Sequence, residues 1–161
     1  GTKDISFGQL LDRIGTKLGL DFPCGEELDT LAYRYLTKNV KAKILVFPKI
    51  KTNSGYINLS GIESAVFRFI DGKTLETDEK NQLILGIFSS ISTAILDMLD
   101  EVYKKYAIND FLFAGGVSSS KTLRKMIGEA GTNFNSVFCE PELSSDNAIG
   151  ISLLGGEKIW L

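Results

Sequence analysis

The residues able to do chemistry in this 161-residue chain are carboxylates, hydroxyls, lysines and glycine-exposed backbone, because the sequence contains no histidine. Without imidazole there is no Ser/His or Cys/His nucleophile pair, no usual general base and no commonest metal ligand. Most hydrolase mechanisms are thereby excluded for this chain alone. Cys24 and Cys139 stand far apart with no CxxC spacing and read as free thiols. Gly115-Gly116 precede Ser118, Ser119 and Ser120. Missing side chains there let a ligand reach the backbone, while the same residues also make an ordinary strand-to-helix turn with a serine cap. Asp146 and Asn147 open a predicted helix at the edge where an open α/β sheet takes ligands, so Asp146 either holds a metal or caps the helix. Asp12 lies among Leu10, Leu11 and Ile14 at the margin of an apolar face, Gly25 opens the next helix, and Asp29 follows a turn later. Two solvent-facing carboxylates and a loop glycine satisfy that pattern without a ligand. Lysines 38, 41, 43, 49 and 51 can meet a phosphate backbone, although a solvated face with little aromatic interleaving reads the same way.

The elements that must position these residues follow from spacing. Ser6 and Gln9 form a capping-box pattern opening a helix over about 7–18, and Gly19 stops it. After Pro23 a second helix starts near Gly25, so 5–37 reads as a helical hairpin. Ile44-Leu45-Val46-Phe47 and Tyr56-Ile57-Asn58-Leu59 suggest two short strands around Asn53-Ser54-Gly55. Ser60 and Glu63 suggest a second capping box. A long helix over about 78–106 carries a continuous apolar stripe, with Glu101, Lys104 and Lys105 solvating its far end. The last third alternates: a buried-type strand at 111–114, a helix with Leu123, Met126 and Ile127, a strand at 137–139 and a helix over 146–154. These βα units predict a mixed α/β lobe with helices on both sides of a short sheet.

Composition bounds the rest. With 43% apolar and 24% charged residues, 18 basic against 20 acidic, one compact unit over 1–161 is expected, neither disordered nor broadly basic. No run of 18 apolar residues and no secretory pattern appears, so the expectation is a soluble cytoplasmic protein with no membrane span.

Four segments together resemble the C-terminal half of the tRNA threonylcarbamoyl-transferase family, historically called glycoprotease or O-sialoglycoprotein endopeptidase. GQLLDRIGTKLGLDFPCGEELDTLA is similar to the family's Gly-Glu-x-x-Asp-Lys-x-Ala-x-x-Leu-Gly-Leu-x-Tyr-Pro-Gly-Gly-Pro, and NLSGIESAV to its Phe-Ser-Gly-Leu-Lys-Thr-Ala. FAGGVSSSKTLR is similar to Gly-Gly-Val-x-x-Asn-x-x-Leu-Arg, and LSSDNAIGIS to Thr-Asp-Asn-Ala-x-Met-Ile-Ala. The resemblance implies an actin-like ATPase fold (ASKHA, ribonuclease H-like) of which this chain is the second lobe, the first lobe being its missing partner. It implies that ATP or threonylcarbamoyl-adenylate contacts Asp12, Gly25, Asp29, Gly115, Gly116 and Ser120, within a hairpin and a 108–158 nucleotide-facing segment. It also implies iron or zinc on Asp146, with the other ligands, an HxxxH pair, in the first lobe. The implied partners are tRNA and other tRNA-modification proteins. None of these ligands is expected to bind the lone lobe tightly.

Departures from the family pattern are specific. Ser120 stands for asparagine, Cys24 for the first glycine of Pro-Gly-Gly, Glu26 for its proline, Gln9 for glutamate and Glu63 for lysine. They suggest a divergent member, and two other readings stay open. One is a non-catalytic paralogue acting as an interaction module; the other is a metallopeptidase, which rests only on the historical family name.

Overall fold

Ser6 Oγ accepts from the Gln9 amide at 3.1 Å while Gln9 Oε1 accepts from the Ser6 amide at 3.0 Å, and α1 (Phe7–Lys17) starts at this reciprocal pair as expected. The computed structural model describes residues 1–38 and 42–140. Gly19, at φ 86°, ends α1 in the left-handed region, and the chain turns through Asp21 into α2 (Gly25–Lys38). Leu10, Leu11 and Ile14 of α1 pack with Cys24, Leu28 and Ala32 in the core. Gly15 permits that approach, because a Cβ there would stand 2.2 Å from Cys24 Cβ. The helical hairpin is therefore present.

The strand expected at 44–47 is not formed. Leu45 lies instead against α4 (Thr77–Tyr106), its amide donating to Gln82 O at 3.1 Å, and Phe47 packs on the core, while Val46 is 87% exposed. Leu45 O comes so near Gly86 that a Cβ there would stand 2.1 Å from it. A short apolar run says that a segment is covered, not whether a sheet or a helix covers it. The strands that do form are β1 (Thr52–Asn53) and β2 (Tyr56–Ile57), an antiparallel pair. Glu101 accepts from the Thr52 hydroxyl and from the Gly55 amide at 2.9 Å, so it anchors this hairpin to α4 rather than solvating the helix end. Both bonds favour the carboxylate and hold its pKa below the usual range.

The capping box expected at Ser60 and Glu63 is also replaced. α3 (Ser60–Ile70) has Leu59 at its cap, and the Leu59 and Ser60 amides donate to the two oxygens of Asp4 at 2.9 and 2.8 Å. A carboxylate from the start of the chain thus does what a local serine was expected to do. Glu63 is left to pair with Arg13 of α1 at 3.2 Å.

By length and composition alone, α4 could cross a membrane, but Phe88 and Ile91 are fully buried and the helix packs against α2 and α5 (Lys121–Gly128). It is the core helix. Beyond its left-handed end at Ala107, φ 56°, β3 (Asp110–Phe113) and β4 (Asn135–Phe138) pair in parallel, joined by a 3₁₀ turn (Gly116–Ser119) and α5. Phe113 and Phe138 stack at 4.6 Å on the face turned toward the core. The buried strands expected here are half-exposed instead: Leu112 and Val137, on the opposite face, are 70% and 59% exposed. The helix expected over 146–154, which would add a second covering layer, lies outside the described residues. The architecture is mixed α/β.

Candidate functional site

α1, α2, the 3₁₀ turn and the start of α5 surround a cleft of about 620 Å³. Asp12, Gly25, Asp29, Gly116 and Ser120 all line it, together with Glu26, Lys121 and Arg124 and with Leu11 and Phe88 as apolar floor. Residues from three distant stretches of sequence are brought to one concavity by the packing of α2 against α1 and α5. Gly115 precedes the lining residue Gly116 and sits at φ 104°, a backbone conformation that disfavours any side chain. Nothing lies within 4 Å of where a Gly25 Cβ would be, so the first turn of α2 is open.

The carboxylates are not the solvent-facing pair that spacing allowed. Asp12 Oδ1 accepts from the Cys24 amide at 2.8 Å and ties α1 to the entry of α2. Asp29 Oδ1 accepts from the Ser120 hydroxyl at 2.6 Å and the Thr122 amide at 3.0 Å, while Oδ2 accepts from the Lys121 amide at 2.8 Å. Ser120 Oγ in turn accepts from the Leu123 amide at 3.1 Å. The first turn of α5 is therefore capped twice, once locally by Ser120 and once by Asp29 of α2. The Ser118 hydroxyl turns back to Gly115 O at 2.7 Å.

Arg124 escaped the sequence reading of the site. Its Nε donates to Ser118 O at 2.9 Å and its Nη2 to Cys139 O at 2.5 Å, and the guanidinium lies 5.2 Å from the Phe138 ring centroid. One planar fork thus fixes the 3₁₀ turn to the end of β4. The only available signal was its place after Leu123 in the quoted Leu-Arg pattern. Glu26 does face the cleft and adds a negative charge at the rim, beside Glu27 in the first turn of α2. Of the lysines, Lys49 and Lys51 line a different pocket, Lys38 ends α2, and Lys41 lies outside the described residues.

Asp146 lies outside the described residues, the sequence has no histidine, and among the described residues no three His, Cys, Asp or Glu side chains converge. The described residues by themselves do not compose an iron or zinc site.

Against known families, residues 1–153 match the one described as TsaD, tRNA N6-adenosine threonylcarbamoyltransferase. The chain belongs to the TsaD family. Relatives bearing that enzyme's name include one from Streptococcus pneumoniae serotype 2, 28% identical over 91% of this chain and 43% of the relative. Another, from Streptococcus mutans serotype c, is 31% identical over 91% of the chain and 43% of the relative. A third, from Rippkaea orientalis, is 29% identical over 98% of the chain and 47% of the relative. The chain thus spans less than half the length of the TsaD relatives it matches. The cleft-lining residues all fall inside the matched stretch, as does Asp146.

Proposed function

We propose that this chain is the second lobe of an actin-like TsaD protein and that its cleft holds the adenosine part of ATP or threonylcarbamoyl-adenylate during threonylcarbamoyl transfer to tRNA in the cytoplasm. The observation that carries the reading is the convergence of Asp12, Gly25, Asp29, Gly116 and Ser120 on one cleft. Glycine at 25 and 116 brings ligand atoms to backbone amides, and Gly115 holds the turn that presents them. Asp12 and Asp29 keep the entry of α2 and the start of α5 in register around that space. The main phosphate contacts are left to the first lobe, and the metal to Asp146 together with ligands of that lobe, while Glu26 adds a negative charge to this rim beside Lys121 and Arg124.

The test is a titration of isotopically labelled protein with adenosine, ADP and ATP, followed by amide chemical shifts. Shifts centred on Gly25, Gly115 and Gly116, at an affinity no tighter than about millimolar (roughly −4 kcal/mol), support a half-site of this kind. Shifts confined to residues 43–51 overturn it.

A second reading, a non-catalytic paralogue, is favoured by one observation. Ser120 replaces the family asparagine, and its hydroxyl is already committed between Asp29 and the Leu123 amide. That reading expects no adenosine shifts at the cleft.

A further inference from the structure

On the far side of α3 lies a second concavity of about 580 Å³, between the N-terminal segment, the 48–53 stretch, β2 and α3. Lys3, Lys49, Lys51 and Arg68 line it, with Tyr56 among them. Four cations gathered in one hollow are a large local excess on a chain whose formal charge is −2. Two of the four are partly committed: Lys49 pairs with Asp97 at 2.9 Å, and Lys3 Nζ lies 5.5 Å from the Tyr56 ring centroid. Lys51 and Arg68 make no ion pair among the described residues. Asp4 and Glu101 are ionised nearby, but their oxygens bond to the Leu59, Ser60 and Gly55 amides and the Thr52 hydroxyl, neither pairs with Lys51 or Arg68, and the lining of the hollow itself holds no Asp or Glu.

We propose that this hollow is a docking site for the phosphodiester backbone of an RNA strand, with Lys51 and Arg68 on phosphates and Tyr56 as a face on which an unpaired base stacks. The inference rests on the reading that the protein acts on tRNA, and it assigns part of that partner to a surface apart from the cleft. Tyr56 is 49% exposed, so its ring is presented rather than packed away. Cations interleaved with an exposed aromatic are what single-stranded nucleic acid uses, charge for the backbone and a π-face for any base. A membrane surface would call for a protruding apolar face, whereas this site is a hollow with its apolar residues, Ile50, Ile57 and Ile62, buried at the base. The site also stands in a useful place. Glu63 and Phe67 of α3 border the groove that contains Asp12, while Gly61 and Arg68 border this hollow, so a strand held here runs about one helix diameter, ~10–12 Å, from the groove beside the cleft.

The test uses the chain itself, a fluorescein-labelled single-stranded 20-nucleotide RNA and a labelled RNA hairpin, followed by anisotropy between 25 and 200 mM KCl; these lengths and salts are about what site size and screening require. Lys51→Glu with Arg68→Glu should weaken RNA binding at least about tenfold and flatten the slope of log affinity on log salt by about 1.4, two phosphate contacts on a single strand. Tyr56→Ala should weaken the single strand about fivefold or more and leave the hairpin stem unaffected. Both variants alter exposed side chains, and matched circular dichroism and melting temperature confirm that they fold. Unchanged RNA affinity and salt slope in the double variant overturn the proposal. So does an equal loss for vesicles containing phosphatidylserine with RNA binding intact. The adenosine titration at Gly25 reads the cleft separately, so a failure here is distinguishable from a failure of the functional reading.

Discussion

The Ser120 hydroxyl donates to Asp29 Oδ1 at 2.6 Å, joining residues 91 positions apart at the junction of α2 and α5. Asp29 also takes the Lys121 and Thr122 amides, so its removal leaves the first turn of α5 without its distant cap. Asp29→Ala should cost about 2–3 kcal/mol in urea unfolding and Ser120→Ala about 1 kcal/mol. The double variant should lose less than the sum, because the two caps share one bond. Additive losses would mean that the bond contributes nothing.

Close packing at Gly15 makes a second coupled pair. Gly15→Ala drives a methyl into Cys24 and should destabilise by about 1–3 kcal/mol. In a Cys24→Gly background, which restores the family residue, most of that penalty should vanish. Thermal melts of the four proteins measure it.

Gly86→Ala tests the crossing of the 42–50 segment over α4. A Cβ there meets Leu45 O, so the segment must lift and the Leu45 amide lose its bond to Gln82 O. Hydrogen exchange at Leu45 should accelerate at least about tenfold, the loss of about 1.4 kcal/mol of local protection, while exchange within α4 near Phe88 changes less.

At the Asp4 carboxyl, burial acts to raise the pKa, but the Leu59 and Ser60 amides outweigh it and hold the pKa well below its ordinary value of 3.8. The group's folded pKa is depressed, so its stabilisation is complete above about pH 4 and is lost as pH falls toward the folded value. Asp4→Asn should therefore lower the melting temperature at pH 7 by the scale of one helix cap and narrow the gap from wild type below pH 4. An equal gap at both pH values would contradict the assignment.

Glu26 should set the preference of the cleft for neutral over anionic ligands. Glu26→Gln is expected to improve ATP binding about twofold and leave adenosine unchanged, as removal of one exposed charge at a rim does. Equal improvement for both ligands would place Glu26 in contact with the nucleoside.

The elements with local punctuation were legible from the sequence alone. Ser6, Gln9 and Gly19 bracket α1 through bonds made within a few residues, and the apolar stripe of α4 marks it as one long helix. The four quoted motifs carried the family, since their order survives without knowledge of any contact. What tertiary structure alone decided were the partners drawn from far along the chain. Asp4 supplanted Ser60 as cap because two oriented amides favour a full carboxylate over a hydroxyl that would cap only its own helix. Leu45 took the α4 surface instead of a strand because Gly86 opens a backbone-deep notch there. The same holds for the sites: Asp12 and Asp29 looked alike as isolated carboxylates, and only folding gave each its amides. Lys3, Lys51, Tyr56 and Arg68 became one surface because α3 and the β1–β2 hairpin fold the chain back on its own start, a proximity that no local spacing records.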